Sequence, residues 1–67
     1  MVEGYLKKQD NGRYAVCDKM ELTCGRRVEV KTLCGWMVMR VEHDGFDYYF
    51  LGEGLAFYPK MVYVRYA

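Results

Sequence analysis

The chain contains one proline, one histidine and one tryptophan, and no apolar run near the roughly 20 residues a membrane-spanning helix requires. No membrane association is therefore expected. Excess charge of either sign is also lacking: ten lysines and arginines stand against nine aspartates and glutamates, a formal net charge of +1 at pH 7. That balance excludes a global field attracting nucleic acid and leaves only local basic stripes. The opening MVEGYLKKQDNG has no apolar core of the signal-peptide kind, so a cytoplasmic location is expected. Cys17, Cys24 and Cys34 are odd in number, which fits reduced thiols better than a disulfide framework. The default reading of each is a small buried hydrophobe.

Helical spacing sustained over three turns is missing as well, whereas two-residue alternation recurs throughout. In RVEVKT (27–32) Val28 and Val30 share one face, with Arg27, Glu29 and Lys31 on the other. In MVYVRY (61–66) Val62, Val64 and Tyr66 oppose Met61, Tyr63 and Arg65. In residues 36–43 Met37, Met39 and Val41 form the natural core face, and Trp36, Val38, Arg40 and Glu42 point outward. β-Branched and aromatic residues dominate these runs, as strands favour. Strands are expected near 2–8, 13–17, 27–32, 36–43, 47–51 and 61–66. Residues 52–59 read as an irregular connection with one 3₁₀ turn near Leu55–Tyr58.

The turn signals agree with this division. Asn11-Gly12 suits the positive φ angles of a type I′ hairpin turn, His43-Asp44-Gly45 marks a second turn, and Leu33-Cys34-Gly35 a third. At 67 residues, with 52% of them hydrophobic, the chain is a single domain near the lower size limit for a self-sufficient core. Five or six short antiparallel strands without a sizeable helix bury one face only by curling into a barrel or small sandwich. Curling also hides strand edges. The fold expected is all-β, a small barrel.

The strand order resembles that of SH3-like small barrels. The pattern NGRYAV…L…G…VEV…GW…RVEHDGFDYYF…VYVRY is similar to a family of short bacterial domains of unknown function, often encoded on mobile or phage-derived elements. The resemblance spans most of the chain and implies an SH3-like barrel. It brings no catalytic residues, and it implies a small residue where Met39 stands.

Candidate sites are few. His43 with Asp44 mimics part of a catalytic pair, yet no nucleophile signature accompanies it, so His43 reads as a solvated turn residue and no enzyme is expected. Cys17, Cys24, Cys34 and His43 are spaced at seven, ten and nine residues, without the close ligand pairs of a structural zinc site. Neither metal nor other cofactor is expected. The aromatic content is the remaining signal, with seven tyrosines, three phenylalanines and Trp36. Trp36 reads either as a cap on an open barrel end or as an exposed anchor beside Arg40. Tyr5, Tyr48, Tyr63 and Trp36 are assigned to outer faces near Lys7, Arg40 and Arg65. The expected function is a non-enzymatic module, monomeric or weakly dimeric, binding a partner protein through Trp36, Arg40, Tyr48, Tyr63, Arg65 and Tyr5. The alternative is nucleic-acid binding, with aromatics stacking bases and cations holding phosphates.

Overall fold

The computed structural model describes residues 1–16 and 21–67. Cys17 and the end of the strand expected over 13–17 lie outside the described residues. Seven strands are present: β1 (Val2–Lys8), β2 (Tyr14–Val16), β3 (Arg27–Thr32), β4 (Gly35–His43), β5 (Tyr48–Gly52), β6 (Leu55–Phe57) and β7 (Tyr63–Tyr66). All their pairings are antiparallel, in the order β2-β1-β7-β3-β4-β5-β6. No helix among the described residues is long and apolar enough to cross a membrane.

The ladder curls into a half-barrel. β1 performs most of the bend, because Val2–Tyr5 pair with β7 whereas Leu6–Lys8 pair with β2. The second half of β1 thereby carries β2 towards strands far from it in the ladder. Lys8 Nζ reaches Asp47 Oδ2 at 2.9 Å, Arg13 Nε donates to the Tyr48 hydroxyl at 3.3 Å, and the Tyr14 hydroxyl donates to the Pro59 carbonyl at 3.5 Å. Among the described residues the outermost strands β2 and β6 do not pair, so side chains rather than a continuous ladder join the two ends.

The concave face is the core. Phe50, Val41, Val16 and Val64 have no exposed surface, and Leu22, Val28 and Met39 are nearly as buried. The alternation expected for β3, β4 and β7 places Val28, Val30, Met39, Val41, Val64 and Tyr66 correctly on this face. Met37 has the right parity but lies beside the β3–β4 turn, where little covers it, and stays 37% exposed. Met39 fits because Gly52 stands opposite: a Cβ there would approach Met39 Cε to 2.9 Å. The missing side chain of Gly52 supplies the room that the resemblance assigns to a small residue at Met39.

Two local expectations are corrected. Residues 55–57 form β6, not a 3₁₀ turn, so the strand count is seven: Leu51 pairs with Ala56 and Gly52 with Leu55, and Phe57 packs on Phe50 with ring centroids 5.8 Å apart. The β1–β2 connection is not type I′, because Gly12 alone in it has positive φ (88°). Gly12 N donates to the Gln9 carbonyl at 2.9 Å and Gln9 N to the Arg13 carbonyl at 2.7 Å. This is the three-residue hairpin, in which glycine forms a bulge after an ordinary turn.

Candidate functional site: an aromatic row on the convex face

Register assembles the convex face. Tyr5 pairs with Tyr63 across β1 and β7, Lys31 with Trp36 across β3 and β4, and Glu29 with Arg65 across β3 and β7. Directly opposed residues share a face, so side chains distant in sequence form neighbouring rows. In one row the Tyr5 and Tyr63 rings meet edge to face at 5.1 Å, Trp36 is tilted against Tyr63 at 6.2 Å, and Lys31 Nζ lies 5.7 Å from the Tyr63 centroid. In the next row Arg65 Nε and Nη2 donate to both Glu29 carboxylate oxygens at 3.2 and 3.1 Å, while the guanidinium carbon sits 3.9 Å from the Trp36 ring centroid. The Tyr63 hydroxyl donates to Glu3 Oε2 at 2.8 Å, linking the rows.

Four of the six residues singled out in the sequence therefore converge: Tyr5, Tyr63, Trp36 and Arg65. Arg40 shares the outward face of β4 but lies beyond Val38, opposite Arg27 and Leu51, and ion-pairs with Glu42. Tyr48 belongs elsewhere. It is two residues from the fully buried Phe50 on β5, so it faces the concave side, where it packs edge to face on His43 at 4.6 Å and against the core. Its outward assignment is corrected. Trp36 is half-buried under Arg65, an outward ring with a lid rather than a barrel cap. Lys31, Glu3 and Glu29 were missed, since only cross-strand register shows that they border the rings.

A second cluster surrounds Asp44. Its Oδ1 accepts the backbone N–H groups of Phe46 and Asp47, each at 2.7 Å, and its Oδ2 accepts the Tyr58 hydroxyl. The Tyr58 bond and those two amides hold the Asp44 carboxyl down at about 2, and the same carboxylate pushes the Tyr58 hydroxyl up. His43 Nδ1 accepts the Gly45 N–H at 3.1 Å. The pair is thus engaged in closing the turn, with Asp44 also tied to Tyr58 beyond β6.

Cys24 and Cys34 are exposed, contrary to the default of burial. Both lie in turns. Among the described residues no three His, Cys, Asp or Glu side chains are grouped to hold a metal ion.

No match is found among curated proteins, nor among solved structures. One sequence family does match, over residues 4–65, a span from the first convex tyrosine strand to the arginine that covers Trp36. The chain belongs to the family described as a domain of unknown function, DUF5348.

Proposed function

We propose that the protein is a small non-enzymatic interaction module of the SH3-like barrel type, working in the cytoplasm as a monomer or weak dimer. It binds a partner protein through the convex row of Tyr5, Tyr63, Trp36 and Arg65. The observation that carries this reading is the preorganised aromatic row, with Tyr5 63% exposed at its end and the rings fixed by Arg65, Glu29 and Glu3. Rigid tyrosine, tryptophan and arginine side chains supply contact area with little ordering entropy left to lose, which is why they dominate binding hot spots.

The same face argues against the nucleic-acid alternative. Glu29 neutralises Arg65, Glu42 neutralises Arg40, and Glu3 stands beside Tyr63. A phosphate approaching these rings meets the Glu3 and Glu29 carboxylates as well as Lys31.

The test is affinity capture from host cells with the wild-type chain and with Trp36→Ala, identifying both protein and nucleic acid. A protein recovered by the wild type, resistant to nuclease and added salt and lost with Trp36→Ala, supports the reading. Recovery of nucleic acid that falls away steeply with salt supports the alternative instead.

A further inference from the structure

Two grooves meet at Met61. One is lined by Tyr5, Lys31, Leu33 and Phe57, and the other by Leu6, Lys7, Pro59 and Lys60, with Met61 in the wall of both. The first is a shallow, open groove of about 540 Å³. The Met61 side chain is 80% exposed, and Leu33 is fully so.

Backbone conformation and charge set this surface apart. Met61 is the one non-glycine among the described residues with positive φ, 57°. A side chain there crowds its own backbone, so the chain holds an apolar group in solvent against a conformational penalty. No aspartate or glutamate lines either groove. Lys8, Arg13, Arg40 and Arg65 each have a carboxylate partner, whereas Lys7, Lys31 and Lys60 make no ion pair with a described residue. Of the other described cations, Arg26 donates to Ala67 O and Arg27 lies opposite Arg40, both outside these grooves. Lys7, Lys31 and Lys60 thus border the apolar grooves, while two carboxylates beside the walls are already engaged, Glu3 by the Tyr63 hydroxyl and Asp47 by Lys8.

We infer that these grooves take an extended peptide segment of the partner, carrying aspartate or glutamate on either side of an apolar anchor residue. The inference rests on the reading of the protein as a protein-binding module and names the chemistry of its partner. Apolar floors with lysines at the rim complement that pattern in both respects, and negative side chains gain from cations that no ion pair already holds. Concave walls on both sides of Met61 suit side chains projecting from a single strand of peptide. The first groove is continuous with the aromatic row through Tyr5 and Tyr63.

The experiment is selection from a random-peptide display library on the wild-type chain, then titration of one enriched peptide against variants. Acidic peptides with an aliphatic or aromatic anchor are expected, and Lys31→Glu/Lys60→Glu should weaken the selected peptide by about tenfold or more. Selection on that double variant should turn to lysine- or arginine-bearing peptides, a readout that mere unfolding does not produce. Met61→Gly, which suits the backbone at that position, should not lower the thermal midpoint and should still weaken the peptide. Enrichment without charge preference, or equal binding by the double variant, overturns the inference. Met61-dependent binding to phosphatidylserine vesicles without acidic peptides overturns it in favour of a lipid surface. Capture that Trp36→Ala abolishes and Lys31→Glu/Lys60→Glu leaves intact overturns it too, while the aromatic-row reading stands.

Discussion

The Arg65 guanidinium lies 3.9 Å from the centroid of the Trp36 ring while two of its nitrogens hold both carboxylate oxygens of Glu29. The cation rests on the negative face of the indole and the carboxylate fixes its orientation, so three adjacent strands, β7, β3 and β4, are tied on their outer side. Lysine cannot reproduce the planar fork.

Arg65→Lys should therefore loosen Trp36 without unfolding the protein. A stacked cation at a part-exposed site contributes about 0.5–1 kcal/mol and a solvated ion pair up to about 1 kcal/mol. The urea midpoint should fall by an amount consistent with about 1 kcal/mol, and tryptophan emission should shift to the red. An unchanged spectrum would show that the ring is held by Tyr63 alone.

Val41 and Phe50 pair across β4 and β5 with no exposed surface on either. Val41→Asp places an unpaired charge there and should abolish cooperative unfolding outright. Phe50→Ala should cost about 3–5 kcal/mol, most of the stability a domain of this size commands. Circular dichroism melts measure both.

Gly52 faces Met39 closely enough that an added methyl must displace the Met39 terminus. Gly52→Ala should destabilise by about 1 kcal/mol, the low end for overpacking, because a methionine tip yields readily. Combining it with Met39→Ala should give a smaller loss than the sum of the single changes, since the methyl then enters vacated space. Additive losses in that double-mutant cycle would refute the contact.

Asp44, held at about 2 by the Tyr58 hydroxyl and two amides, sets an acid limit. A carboxyl lowered in the folded state stabilises the fold above its ordinary value of 3.8 and loses that contribution as pH falls towards about 2. Asp47, lowered by its bond to Lys8, acts in the same direction. Thermal midpoints should therefore drop through this acid window. Asp44→Asn should lower the midpoint at neutral pH and flatten the acid drop, with titration by nuclear magnetic resonance locating the carboxyl directly.

Met61→Gly should raise stability in the unliganded protein by up to about 1 kcal/mol, because glycine removes the positive-φ penalty, less the entropy it adds to the unfolded chain. A clear fall in the urea midpoint would show that the Met61 side chain packs rather than protrudes.

What the sequence determined by itself was strand phase wherever apolar and polar residues alternate. Val28/Val30, Met39/Val41 and Val62/Val64/Tyr66 are distinguishable from their neighbours without any partner strand, because burial on one face imposes a period of two. The antiparallel all-β class and the turn positions followed from the same alternation and its glycines. Phase failed in FDYYF, where both parities are aromatic and only the pairing of Val41 with Phe50 turns Tyr48 inward. It failed for Leu55–Phe57 because three residues are too few to show a period, and pairing with β5 alone makes them a strand. The convex site is a tertiary product for the same reason. Tyr5, Lys31, Trp36, Tyr63 and Arg65 come from four strands, and they become neighbours only when the registers of β1 with β7, β7 with β3 and β3 with β4 are set together.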